Sequence, residues 1–368
     1  GLGLHCDANT FCIFRDYIAG LDYIRNSKEL CDNGMYIELG AFKYQAFLDF
    51  REVVDDENHT YAQLAARLAG RGVPSIDQAL REMAEPEAAP VEEPVRISPR
   101  ASGILLHPTS LPGRFGIGDL GDAAYRFVDF LADSGQKLWQ IMPLGPTSYG
   151  DSPYQALSAF AGNPLLISPE RLLAEKFIAA WDLDGAPALP DDRVDYGPVI
   201  QFKQRLLRIS FAHFKATADE KQKAELAAFV RDHAAWLNDY ALFAALKDQH
   251  RGAAWGQWER DIATRQPDAI ERWRRELDGQ IQFHQYVQFL FEKQWSALKA
   301  YANEKGVSII GDIPIFVAYD SADAWANGKL FRFDADGAPT HVAGVPPDAF
   351  SPTGQLWGNP LYDWEAMA

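Results

Sequence analysis

Residues 103 to 167 constrain this chain more than any other stretch. Two short apolar runs, Ile104 to Leu106 and Leu138 to Leu144, flank a segment that sets Leu120, Ala124, Phe127 and Leu131 on one helical face. Continuous apolar runs of this kind suit strands buried on both faces of a parallel sheet. A strand, a helix and a second strand within this length predict a βαβ unit. A polar and aromatic loop follows each strand: His107-Pro-Thr-Ser, then Thr147-Ser-Tyr-Gly-Asp-Ser-Pro-Tyr-Gln. The C-terminal ends of parallel strands are where α/β folds stage their chemistry.

The rest of the chain divides around this unit. Residues 1 to 83 predict a small α+β unit. In it Phe11, Ile18, Leu21 and Ile24 have helical spacing, and Met35 to Leu39 and Tyr44 to Phe50 read as a strand pair. His59 to Ala69 reads as a helix stopped by Gly70-Arg-Gly, and Ser75 as the cap of another. Residues 84 to 100 carry prolines at 86, 90, 94 and 99 among Glu and Ala, which predicts a linker. From 101 to 368 the chain reads as one α/β domain, interrupted from about 168 to 280 by a mostly helical insertion. Helices are expected over Phe202 to Ala216, Lys221 to Ala245 and Asp268 to Leu277. A long amphipathic helix containing Phe283 to Tyr301 then leads to a third strand, Val307 to Ile310, closed by Gly311-Asp312.

Charge and cysteine content exclude several functions. A formal net charge of −16 repels polyanions, so nucleic acid is not an expected partner, whereas neutral sugars are indifferent to it. No apolar run approaches the ~18 residues of a membrane span. The three cysteines, 6, 12 and 31, form no zinc-type spacing and no even-numbered framework, so buried free thiols and a reducing cytoplasm are expected. Gly116-Ile-Gly-Asp-Leu-Gly matches G-x-G-x-x-G but stands too far from Leu106, behind Pro108 and Pro112, to be a dinucleotide turn. No phosphate-loop or metal-binding motif occurs, and no cofactor is expected.

Six blocks carry a resemblance. They are His107-Pro-Thr-Ser-Leu-Pro-Gly, Leu144-Gly-Pro-Thr, Tyr149-Gly-Asp-Ser-Pro-Tyr-Gln with Ser158-Ala-Phe-Ala-Gly-Asn-Pro, Gly311-Asp-Ile-Pro-Ile-Phe-Val, Gly344-Val-Pro-Pro-Asp, and Gly354-Gln-Leu-Trp-Gly-Asn-Pro. In this order, over about 102 to 364, they resemble the 4-α-glucanotransferases (amylomaltases, disproportionating enzymes, glycoside hydrolase family 77). Residues 1 to 83 resemble the C-terminal tail of α-amylase-like proteins. The family resemblance implies an incomplete (β/α)8 TIM barrel, since three barrel strands are counted and eight are needed. It also implies a retaining transfer of α-1,4-glucan segments to the 4-hydroxyl of another glucan or glucose. That chemistry needs a nucleophile and an acid/base carboxylate. The resemblance puts both in motifs downstream of Trp364, so no catalytic carboxylate is expected within the chain. The alternative is a non-catalytic α-glucan-binding fragment.

The resemblance assigns Tyr154 to the sugar beside the scissile bond. A core tyrosine under the loop is the competing reading. Tyr149, Asp151, Ser152 and Gln155 line the same wall or stabilise its loop. Asp312, directly after the third strand, supports the sugar site or caps a turn. Asp320 and Asp323 are expected to cap the helix that includes Trp325. Asp348, Phe350, Trp357 and Asn359 fall in what resembles the family's acceptor loop, with Trp357 a sugar platform or a loop anchor. There the sequence departs, with Ala349 where relatives often have an aromatic ring. Ser110 lacks a triad partner despite His107 nearby.

Overall fold

The computed structural model describes residues 3–35, 46–84, 100–187, 189–190 and 192–367. The expected linker at 84–100, apart from its two end residues, and most of the expected strand from Met35 to Leu39 lie outside the described residues. Contacts divide the chain into two compact units, Gly1–Arg96 and Ile97–Ala368.

The first unit is a three-stranded antiparallel sheet, β1 (Thr10–Asp16), β2 (Leu21–Asn26) and β3 (Phe47–Val54), in the order β2-β1-β3. With it go α1 (Ser27–Asn33), α2 (Thr60–Leu68) and α3 (Ile76–Ala84). The helical spacing of Phe11, Ile18, Leu21 and Ile24 is therefore corrected to a hairpin. Phe11, Ile13 and Ile24 alternate inward along two strands and pack with Leu64 and Ile76. Ile18 lies in the turn, 52% exposed, where Gly20 takes φ +68° to reverse the chain. The expectation of three free thiols is also corrected. Cys6 and Cys31 form a disulfide, and Cys12 alone is free and buried, its thiol pushed up to about 11 mainly by burial. The pairing joins residues 25 positions apart that meet only once β1 and α1 have folded, so no local spacing marked it.

The second unit is built on three parallel strands, β4 (Gly103–Leu105), β5 (Leu138–Gln140) and β6 (Ser308–Ile310), in the order β4-β5-β6. β4 is as long as its apolar run but starts one residue earlier, while β5 and β6 are shorter than the runs that predicted them. Past Gln140 the chain reaches Pro143, which has no N–H for a ladder. Gly103 faces Leu138, and a Cβ there would clash with the Leu138 side chain and carbonyl. α4 (Asp122–Asp133) links β4 to β5, with Ala124, Val128 and Leu131 fully buried. Ile104, Trp139 and Ile309 belong to the core packed by α4 and the long helix before β6. On the other face Leu105 is 58% exposed.

Between β5 and β6 comes the insertion: α5 (Pro169–Ala174), α6 (Tyr196–Thr217), α7 (Glu220–Asp232), α8 (Ala234–Gln249), α9 (Arg260–Ala263), α10 (Pro267–Glu276) and α11 (Asp278–Glu304). The single helix expected over Lys221 to Ala245 is two helices, broken at His233. A buried ion pair ties α6 back to the loop that follows β4. Lys203 Nζ lies 2.9 Å from Asp119 Oδ2 and donates to the Ile167 carbonyl at 2.7 Å. Asp119 is the acidic residue of the glycine-rich stretch 116–121, and its other oxygen accepts the Gly121 N–H. That stretch is thus a turn built around a buried carboxylate. After β6 come α12 (Ala322–Ala326) and an antiparallel pair, β7 (Val342–Val345) and β8 (Gln355–Pro360).

Candidate functional site

The strand order β4-β5-β6 makes the loops after β5 and β6 neighbours, and this is what assembles the site. The β5 loop folds back on itself through a bridge between Thr147 and Ala156. The Ser148 hydroxyl and N–H both donate to the Gln155 carbonyl, at 2.7 and 2.9 Å. Tyr154 is carried at the end of this loop. Its phenol O–H donates to Asp312 Oδ2 at 2.7 Å, across 158 positions of sequence. The other Asp312 oxygen accepts the Ile313 N–H at 2.8 Å.

Around this pair lies a cavity of ≈ 770 Å³. Ser152, Tyr154 and Gln155 form one wall, Asp312 to Phe316 the second, and Gln355, Trp357 and Asn359 of β8 the third. The first and third walls meet where Gln155 Nε2 donates to Asn359 Oδ1 at 3.3 Å, and Asn359 Nδ2 donates to the Val317 carbonyl at 3.0 Å. Tyr154 is 45% exposed, which removes the core-tyrosine reading. Its hydrogen bond to Asp312 raises the phenol above its ordinary value, so it stays protonated and donating at neutral pH. Trp357 is 44% exposed, with its indole N–H held by Gln355 Oε1 at 2.9 Å.

Some expected residues stand elsewhere. Asp151, in a left-handed conformation at φ +53°, lines a separate cavity of ≈ 270 Å³ under α6 and α8. Asp348 Oδ1 accepts the N–H groups of Phe350 and Ser351, which closes its own turn. Phe350 is 94% exposed, and neither residue lines the Tyr154 cavity. The side chain of Tyr149 lies outside the described ones. Sequence reading missed Ile313 and Ile315, 70% and 74% exposed on the cavity wall. The available signal was two large apolar residues directly after a strand-end aspartate.

The capping roles expected of Asp320 and Asp323 are also corrected. Ser321 caps α12, its hydroxyl accepting the Ala324 N–H. Asp320 binds Lys247 Nζ at 2.6 Å and so ties α8 to the β6 loop. Asp323 reaches instead to the β5 loop, accepting the Ala159 N–H at 2.9 Å. His107, 6% exposed, is structural. Its Nδ1 meets Thr109 Oγ1 at 2.7 Å and accepts the Thr109 N–H, which leaves Nε2–H to donate to the Pro143 carbonyl at 3.3 Å. Burial lowers its pKa. Among the described residues no cluster of three or more His, Cys, Asp or Glu could hold a metal ion.

An exposed aromatic ring, an apolar ridge, amide groups and one carboxylate at the C-terminal ends of parallel strands suit a hydroxyl-rich ring. The fold and cavity define an α/β protein with an open cleft beside the C-terminal ends of its parallel strands. Residues 106–368 match the family described as 4-alpha-glucanotransferase, and the chain belongs to that family. It is 53% identical over 269 residues to the 4-alpha-glucanotransferase of Synechocystis sp., covering 73% of this chain and 53% of that protein. Against the Thermus thermophilus 4-alpha-glucanotransferase it is 49% identical over the same shares. The fold superposes on the amylomaltase from Streptococcus agalactiae in complex with acarbose, at TM-score 0.70 and 43% identity, over 73% of this chain and 54% of that one. The chain spans about half the length of the curated relatives it matches. Among the described residues no helix is long and apolar enough to cross a membrane.

Proposed function

We propose that this chain supplies the sugar-binding wall of a 4-α-glucanotransferase acting on α-1,4-glucans. The Tyr154–Asp312 hydrogen bond across the cavity carries this reading, because it presents a ring face and a carboxylate to one sugar. Tyr154 stacks on the unit beside the bond that is cut. Ser152, Gln155 and Asn359 take hydroxyls, and Trp357 offers a second face. Asp348 and Phe350, on the turn between β7 and β8, face the incoming acceptor. Retaining transfer needs two carboxylates flanking the bond, about 5–5.5 Å apart. Asp312 is the one carboxylate among the described cavity-lining residues. Its role is therefore supporting, and the nucleophile and acid/base belong to the half of the relatives' length that this chain does not cover.

Among the described residues the outer edges of β4 and β6 carry no partner strand, and this, with the exposed face bearing Leu105, supports reading the sheet as part of a (β/α)8 barrel. A cytoplasmic location suits starch or glycogen chains as substrates. The Cys6–Cys31 disulfide weighs against it, because reducing compartments keep such thiols open.

Maltoheptaose titrated calorimetrically into the chain tests the site. Tyr154→Ala should weaken binding at least roughly tenfold, about 1.4 kcal/mol, while Tyr154→Phe, which keeps the ring, should lose much less. A folded Tyr154→Ala protein that binds maltoheptaose normally removes the cavity from consideration.

A further inference from the structure

Tyr154 and Asp312 sit on two different loops, and a 2.7 Å hydrogen bond tolerates little error in where those loops stand. Something must set the β5 loop against the segment after β6. The loop closure at Ser148 and Gln155 is internal to the β5 loop and cannot do so. Two contacts further along can. The Ala322 N–H donates to the Leu157 carbonyl at 2.8 Å. Asp323 Oδ2 accepts the Ala159 N–H at 2.9 Å. Ser158, 2% exposed, accepts the N–H groups of Phe160 and Ala161 on its oxygen, so its own proton is free to go to the Asp323 carboxylate, to which it is hydrogen-bonded.

The choice of residue is informative. Asp323 is not needed as a helix cap, since Ser321 fills that position. No basic side chain forms an ion pair with it among the described residues. Burial raises its pKa, which means the carboxylate is held at a cost. What a carboxylate offers in return is a stronger acceptor than a neutral group, and two donors of the β5 loop use it. The grip falls five residues beyond Tyr154 and eleven beyond Asp312, so the two loops are joined at a second point.

We propose that Asp323 is a positioning residue. Its carboxylate holds Ala159 and Ser158 so that the phenol of Tyr154 reaches Asp312, and it thereby sets the glucan affinity of the cavity. The last clause rests on the proposed function; the placement of the phenol does not.

The placement is read on the phenol itself. With 13Cζ-tyrosine labelling, Tyr154→Phe identifies the resonance, and its pH titration reports the bond to Asp312. In the wild-type chain Tyr154 should titrate above the ordinary value. In Asp323→Ala its titration should fall back toward about 10. Asp323→Asn still offers one oxygen to Ala159 and should recover part of the shift. Unchanged resonances of Tyr240 and Tyr286, buried in the helical insertion, certify the fold. If Asp323→Ala does not fold, Asp323→Ser, too short to reach Ala159, takes its place. A Tyr154 titration that stays at the wild-type position in either folded variant overturns the proposal. Maltoheptaose affinity should fall roughly tenfold in Asp323→Ala and recover in part in Asp323→Asn. A phenol that shifts while affinity holds upholds the positioning of Tyr154 and overturns the glucan reading of the cavity.

Discussion

At the scale of single residues, burial sets how side chains of this protein respond to pH. His107 is enclosed between the β4 and β5 loops, and burial holds its pKa below the ordinary value of 6.5. In the unfolded chain the imidazole protonates near 6.5, while the folded protein resists. The folded state then binds fewer protons, so its stability is intact above pH 6.5 and declines as pH falls below it. Urea midpoints measured between pH 7 and pH 5 should drop, and His107→Gln, which does not titrate, should show a flatter profile. Tryptophan fluorescence is the appropriate probe, because all 10 tryptophans lie between 139 and 364, in the second unit. Parallel profiles for the two proteins would show that His107 contributes nothing to the pH dependence.

Between elements, long-range polar contacts hold the insertion to the strands. Lys203 on α6 and Asp119 after β4 are almost wholly buried together. Removing one partner of such a pair strands the other charge, at about 3–5 kcal/mol. Lys203→Met should therefore lower the urea midpoint sharply. Adding Asp119→Asn removes the stranded charge and should recover much of the loss. Equal destabilisation in single and double variants would mean the pair acts by packing alone. The first unit has a covalent counterpart. Alkylation of the denatured, unreduced chain should label one thiol, Cys12, and reduction beforehand should raise the count to three. The Cys6–Cys31 link closes a loop of 25 positions, which a chain-entropy account values at about 3.5 kcal/mol. Three labelled thiols without reduction would show that the pair is open in solution.

For the molecule as a whole, binding and turnover should separate. One carboxylate on the described cavity wall can orient a sugar, but retaining transfer requires two. The 368-residue chain should bind maltoheptaose and yet release no glucose from maltotriose in a coupled glucose assay. Steady glucose release by the purified chain would put a catalytic pair within it and overturn the supporting role given to Asp312.

The strand, helix and strand of 103–140, the long helix before β6 and the loops that bear Tyr154 and Asp312 were legible in the sequence. Their signals are local: apolar periodicity, proline and glycine punctuation, and blocks such as Tyr149-Gly-Asp-Ser-Pro-Tyr-Gln. The β1–β2 hairpin was misread because its apolar positions fit a helical spacing as well as an alternating one, and only pairing with β3 selects between them. The disulfide, the Lys203–Asp119 pair and the reach of Asp323 to Ala159 left no trace in spacing. Each joins residues that are far apart in the chain, and each forms only when the strand order β4-β5-β6, the first sheet or the packed helices have fixed where those residues lie. Residue type and periodicity determined which elements form and which side chains were available to a site. Tertiary packing alone decided which of them meet, because hydrogen bonds and ion pairs act over a few ångströms of space regardless of separation along the chain.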